Sequence, residues 1–161
     1  MEGMLEIKDL RVSFSSDGRK VEVVSGVSLS IPQGRIVGVV GESGCGKTVT
    51  ALSIMRLIPE PPGRIDSGEI LFDGANLLEY GDREMRSLRG NRISMIFQEP
   101  ISSLNPVFTV GDQIGEALRT HLKITNSEEK KRVIELLRLV GIPAPEKRIK
   151  NYPHELSGGM S

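Results

Sequence analysis

Residues 41–48 read Gly-Glu-Ser-Gly-Cys-Gly-Lys-Thr, which matches the string GxxxxGK[ST] at every fixed position. The chemistry this string suits is the holding of a polyphosphate. Its glycines let the backbone fold into a nest of N–H groups, and the helix that follows adds its positive N-terminal end. Lys47 supplies a point charge to the outer phosphates, and the Thr48 hydroxyl is the expected ligand for Mg2+. At average residue usage such a string matches by chance in roughly one chain of this size in a hundred, or fewer. A nucleotide site is therefore favoured over a glycine-rich structural turn.

Two other nucleotide readings fail on particular residues. A dinucleotide fingerprint GxGxxG starting at Gly44 and Gly46 needs a glycine at position 49, which is Val49. A guanine-reading Asn-Lys-x-Asp is absent from the sequence. Asp112-Gln113-Ile114-Gly115 spells DxxG, but within a stretch of helical spacing, and is read as coincidence.

The elements around the loop support it. Leu5 and Ile7, Val12 and Phe14, Val21 and Val23, then Val27, Leu29 and Ile31 follow period two, with turn residues at 15–18 and 32–34. This is the pattern of antiparallel strands with one face buried. Residues 69–72 (EILF) add a strand that runs into the turn Asp73-Gly74. Residues 36–40 (IVGVV) are apolar on both faces and predict a central strand covered on both sides, leading into the loop. Ala51, Leu52, Ile54, Met55, Leu57 and Ile58 then occupy most of a helix circumference, which predicts a deeply buried helix. Residues 92–98 (RISMIFQ) form another apolar run of strand length.

After Pro100 the pattern becomes helical. Val110, Ile114 and Leu118 are four apart, and Val133, Leu136, Leu137 and Val140 give the i, i+3, i+4, i+7 stripe. Asn126 with Glu129 is a candidate capping box, and Gly141 a helix stop. The expected organisation is a β-rich lobe over residues 1–99 and a helical lobe over 100–161.

Composition limits the remaining classes. The 161 residues carry 21 Lys plus Arg against 21 Asp plus Glu, a net charge of +0, which gives no pull toward nucleic acid or anionic lipid. The single cysteine, Cys45, excludes an intramolecular disulfide framework and fits a reducing compartment. No signal peptide is read at the N-terminus, and no apolar run approaches the ~20 residues that span a bilayer. A membrane role is expected only through partners.

The loop, MIFQEP at residues 95–100 and LSGGM at 156–160 resemble, in order and spacing, the ATPase subunit of ABC transporters, over essentially the whole chain. The wider strings FQEPISSLNPVFTVGDQI and YPHELSGGM resemble the ATPases of oligopeptide, dipeptide and related nickel importers. The resemblance implies an α/β P-loop NTPase fold of the ABC-ATPase type with an incomplete core, an antiparallel β subdomain and a helical subdomain. It implies ATP and Mg2+ as cofactors. Residues Gly41, Glu42, Ser43, Gly44, Cys45, Gly46, Lys47, Thr48 and Val49 then correspond to the Walker A loop, with Lys47 catalytic. Gln98 corresponds to the Q-loop glutamine, a catalytic residue that contacts Mg2+ and the attacking water and joins Thr48 as a metal ligand. Leu156, Ser157, Gly158 and Gly159 correspond to the signature that faces the ATP of a second subunit. Phe14 lies about where the family's adenine-stacking aromatic lies, and stacking and a core role stay equally open for it.

The implied partners are a second ATPase subunit, identical or homologous, the membrane-spanning permease subunits and, indirectly, an extracellular solute-binding protein. The implied location is the cytoplasmic face of the membrane. Three departures stand out. Val49 replaces a common hydroxyl residue, Cys45 puts a thiol in the loop, and Ser161 ends the sequence where a basic residue usually follows. No run after the signature ends in paired acids to hold Mg2+, and His121 and His154 both precede the signature, so neither is the family's switch histidine. Both are read as surface or packing residues. The expectation is a fragment that keeps its phosphate loop, turns over no ATP alone and has a weak or disordered signature. The rivals are a non-catalytic nucleotide-binding or interaction module and, less favoured, an unrelated P-loop kinase.

Overall fold

A computed structural model describes residues 4–16, 18–98 and 103–156. The chain divides into two compact units, residues 1–89 and 90–161.

The first unit is built on a four-stranded antiparallel sheet of order β2-β1-β3-β4, with β1 Leu5–Ser16, β2 Arg19–Ile31, β3 Gly63–Phe72 and β4 Ala75–Asn76. β1 is central and pairs with both long strands. Leu5 faces Ile31 on one side and Phe72 on the other. The alternation of β1 is interrupted at Asp9. Its φ of 44° places it in the left-handed region, and both ladders shift register there. This bulge explains why Ile7 and Leu10, three residues apart, both lie in the core. Asp9 is turned outward, where its N–H donates to Ser28 Oγ at 2.9 Å and its carboxylate meets Arg11. Gly68 of β3 crosses the same level. A Cβ there would lie 2.7 Å from the Leu10 Cα, so only glycine lets the two backbones approach.

The core of this unit comprises Ile7, Leu10, Val12, Val24, Met55, Ile70, Phe72, Leu77 and Met85. Leu77 opens a 3-10 turn, Leu77–Glu79, and Met85 lies in helix α2, Asp82–Leu88. The hairpin between β3 and β4 turns on Asp73 and Gly74, both at positive φ, the conformation that suits a two-residue hairpin loop. The loop-bearing helix of the unit, α1, spans Lys47–Ile54.

The alternating residues of the first third form two long antiparallel strands, as expected, and bulges carry β1 and β2 through their breaks in period. Two expectations are corrected in this unit. Residues 35–40 have no ladder partner among the described residues and are not a strand. Ile36, Val37, Val39 and Val40 are exposed, Val40 at 93%. Apolar side chains make a strand desirable, but only a neighbouring strand satisfies its backbone. Helix α1 is shorter and less buried than its apolar circumference suggests. Thr50 and Ser53 are its buried members and Met55, at its C-terminal cap, is buried as expected, while Leu52 and Ile54 are half-buried and Leu57, beyond its end, is exposed.

The second unit is helical: α3 Val110–His121, α4 Asn126–Leu139 and α5 Pro145–Arg148, with a 3-10 turn at Pro153–Glu155. Val110, Val133 and Leu137 are its buried centre, with Ile114, Leu118, Ile142, Ile149 and Leu156 packed around them. Reciprocal caps start both long helices. Thr109 accepts from the Asp112 N–H, and the Asp112 carboxylate accepts from the Thr109 hydroxyl at 2.6 Å. Thr125 and Glu128 repeat the arrangement on α4, one residue earlier than the expected pair Asn126 and Glu129. The Val110 and Gly111 N–H groups donate to Asn151 and Ile149 carbonyls at 2.9 Å, which ties the start of α3 to the chain after α5. Gly141, at φ 79°, ends the run after α4 as expected. Residues 94–97 are not a strand, and Ile96 and Phe97 are exposed. No helix among the described residues is long and apolar enough to cross a membrane.

Candidate functional site

The phosphate-loop string forms a turn that enters α1 directly. Gly46 is the N-cap residue at φ 92°, and no side chain caps the helix. A Cβ at Gly46 would lie 2.8 Å from the Val23 carbonyl oxygen and 3.2 Å from Val24 Cγ2. Glycine is therefore demanded twice here, by the left-handed backbone and by the seat against β2. The seat holds the N-terminus of α1 to the sheet.

Hydroxyl groups fasten the helix from within. Thr50 Oγ1 and the Thr50 N–H both donate to the Gly46 carbonyl, at 3.0 and 2.8 Å. Ser53 Oγ donates to the Val49 carbonyl at 2.7 Å. These two residues were not singled out in the sequence. The only signal for them was a polar residue every three positions inside an apolar helix.

Lys47 folds back over the loop. Its Nζ donates to the Gly41 carbonyl at 2.8 Å and to the Glu42 carbonyl at 2.6 Å, and lies 3.5 Å from Cys45 Sγ. The ammonium is thus held on the carbonyls of the turn that leads into α1. No acidic residue occupies the first turn of α1 to compete for those groups. Residues 41–45 and Thr48 are exposed. A positive charge, open helix N–H groups and an exposed hydroxyl make a donor set that fits a polyphosphate carrying Mg2+.

Phe14 lies on β1, facing Val21 of β2 and Gly63 of β3. A Cβ on Gly63 would come within 2.9 Å of the ring, so the ring rests against that glycine. Val21 is two residues from Val23, whose carbonyl seats Gly46, so Phe14 and the loop share one end of β2. Gln98 is an exposed residue of the second unit. Leu156 is half-buried against the helical core. Ser157, Gly158 and Gly159, and with them the expectation of a weak or disordered signature, lie outside the described residues. His121 is half-buried beside Gly90, and His154 is exposed and stacks on Tyr152 with ring centroids 5.8 Å apart. Asp112 of the DxxG spelling serves as the cap partner of Thr109.

A strand-flanked sheet, a phosphate-type loop and a helical unit define a class that comparison with known proteins makes specific. Residues 24–161 match the ABC transporter family model, and the chain belongs to that family. It is 52% identical over 157 residues to the oligopeptide transport ATP-binding protein OppD of Bacillus subtilis, covering 98% of this chain and 44% of that protein. It is 49% identical over 160 residues to the dipeptide transport ATP-binding protein DppD of the same organism, covering 99% of this chain and 48% of that protein. The chain therefore spans about half the length of these relatives. Among solved structures, the dimeric bacterial ABC transporter cassette MJ0796 superposes with a TM-score of 0.82 at 24% identity, covering 98% of this chain and 65% of that one. The fold is that of an ABC ATPase cassette.

Proposed function

We propose that this chain is the nucleotide-binding portion of an ABC importer ATPase that couples ATP to the uptake of oligopeptides or dipeptides. The observation that carries the reading is the loop at Gly41–Thr48, with Lys47 held across its mouth at the open N-terminus of α1. The relatives' names, oligopeptide and dipeptide transport ATP-binding proteins, support the solute class.

In this reading residues 1–99 form the nucleotide-binding lobe and 100–161 the helical subdomain. Gly41–Val49 cradle the phosphates, with Lys47 neutralising the charge that develops on them. Thr48 and Gln98 are the residues that would hold Mg2+, and Gln98 would orient water. Phe14 stacks on adenine. A bound Mg2+ would supply neutralisation of phosphate charge. Leu156, Ser157, Gly158 and Gly159 face the nucleotide of a second ATPase subunit. The helical subdomain docks on permease subunits at the cytoplasmic face, and a solute-binding protein delivers the peptide outside. The 161 residues alone bind nucleotide without turning it over, since none of them is a candidate for the paired acids that would complete the Mg2+ site.

The test is a calorimetric titration of the chain with Mg-ATP. Saturable binding is expected, weakened on the order of 100-fold or more by Lys47→Ala through loss of a charge-assisted phosphate contact. Equal affinity of the two proteins would overturn the nucleotide reading. Steady ATP hydrolysis that disappears with Lys47→Ala would overturn the claim of no turnover.

A further inference from the structure

Residues 35–40, which lead into the loop, have no ladder partner among the described residues. On its other side the loop runs into α1, and α1 is gripped at both ends. The N-terminal grip is the seat of Gly46 on Val23. The C-terminal grip is a cluster of carbonyls and guanidinium groups.

α1 ends in a reversed turn. The Leu57 N–H donates to the Leu52 carbonyl at 2.9 Å and the Arg56 N–H to the Ser53 carbonyl at 3.0 Å. Arg56 takes the left-handed conformation there, at φ 49°, a position usually given to glycine. Two further carbonyls at this end, Met55 and Arg56, are both taken by one side chain. Arg89 Nε donates to Met55 O at 2.8 Å, and an Arg89 Nη donates to Arg56 O at 2.9 Å. The Arg56 guanidinium donates in turn to the Tyr80 carbonyl. Tyr80 and Arg89 flank α2 and the turn containing Leu77, whose side chains Leu77 and Met85 are fully buried. The end of α1 is thereby bolted to segments that flank fully buried core residues.

We propose that Arg89 is a positioning residue for the phosphate loop. It touches no nucleotide. Its planar fork fixes the C-terminal end of a helix of eight residues, about 12 Å long, whose other end presents Lys47 and Thr48. Its charge also opposes the negative end of that helix. This inference rests on the reading of Gly41–Thr48 as a nucleotide site.

The test is a double-mutant cycle of Arg89→Met and Lys47→Ala in the whole chain, reading Mg-ATP affinity at a temperature where circular dichroism shows each protein folded. Arg89→Met is expected to weaken ATP about tenfold, as it would if the aligned loop were populated a tenth of the time. Arg89→Lys, whose ammonium reaches one carbonyl at a time, falls between. Lys47→Ala should cost less in the Arg89→Met background than in the native one, because a misplaced lysine has less contact to lose. Additive losses, or unchanged ATP affinity in Arg89→Met, would overturn the proposal, whatever the melting temperature does. Should Arg89→Met fail to fold, the cycle is run with Arg89→Lys and judged by the same additivity. If native chain and Lys47→Ala bind ATP alike, the nucleotide reading itself has failed, and this inference falls with it. If they differ as expected but the cycle is additive, only Arg89 is wrong.

Discussion

The strands of the antiparallel sheet are apolar on one face only and the run Ile36–Val40 is apolar throughout, yet it is the sheet that is buried. Ile70, in β3, is 0% exposed, while Val40 is 93% exposed. The difference lies in backbone partners. β3 is paired along β1, through contacts between residues far apart in the chain, from Leu5 with Phe72 to Phe14 with Gly63. Residues 35–40 are paired with nothing among the described residues. A helix closes its own hydrogen bonds and needs neighbours only for its apolar face, whereas a strand needs them for its polar backbone as well. Apolar character thus states what a segment would gain from burial, and the ladder decides whether it is buried.

The largest test of this contrast is a pair of truncations. Leu77→Ala removes a fully buried side chain and should cost about 2–5 kcal/mol in urea unfolding. Val40→Ala removes an exposed one and should fall within ~0.5 kcal/mol of the native chain. A Val40→Ala cost comparable with that of Leu77→Ala would show that residues 35–40 are covered in solution and would break the comparison.

A second pair probes the junction between the exposed run and the seated helix. Gly46→Ala meets both a left-handed φ and the Val23 carbonyl, and should cost about 1–3 kcal/mol along with most of the ATP affinity. Gly38 has nothing within 4 Å of where a Cβ would lie, so Gly38→Ala should leave both properties unchanged. Equal effects at the two glycines would mean that the seat against β2 does not position the loop.

The sequence was most legible where local geometry dictates residue type. The loop string shows itself because a helix start in the left-handed conformation at Gly46, seated against Val23, leaves few residues allowed. The stripe Val133, Leu137 and the stop at Gly141 show themselves because a helix is a local object. Legibility fell where the outcome depends on distant chain. Nothing near Ile36 says whether a strand will lie beside it. The bulge at Asp9 is set by the meeting of three strands, and nothing in the local alternation marks it. The cap of α4 was one residue out because Thr125…Glu128 and Asn126…Glu129 are both acceptable spellings, and only the backbone at Thr125 chooses. Arg89 gave no signal, since one arginine in a charged stretch looks like a solvated side chain until the carbonyls it reaches are in place.

Helix α4 offers the third test, as an element that satisfies its own end without a ladder. Thr125→Ala removes the acceptor for the Glu128 N–H and should cost about 1 kcal/mol. The loss should appear in thermal unfolding and be restored in part by Thr125→Ser. A change indistinguishable from zero would mean that tertiary packing of Val133 and Leu137, and not the cap, decides where α4 begins.

The smallest expected effect is the pH dependence of that same cap. The Thr125 N–H and hydroxyl both donate to the Glu128 carboxylate, at 2.8 and 2.7 Å, and hold its pKa below the ordinary value for glutamate. The backbone donor is the larger cause, the hydroxyl the next, with a smaller contribution from the charge of Lys131. A carboxyl whose folded pKa is depressed stabilises the fold fully above its unfolded pKa. That stabilisation is lost as pH falls through the unfolded value toward the folded one. The native chain should therefore be more stable than Glu128→Gln at neutral pH, and the gap should close as pH drops below the ordinary range of glutamate. The effect is small because the carboxylate is exposed to water and salt. Following both proteins by helix circular dichroism during thermal unfolding, at neutral and at acid pH, measures the gap. A gap that persists unchanged in acid would assign the stabilisation to the shape of the Glu128 side chain, since a charged cap must lose its advantage once it is protonated.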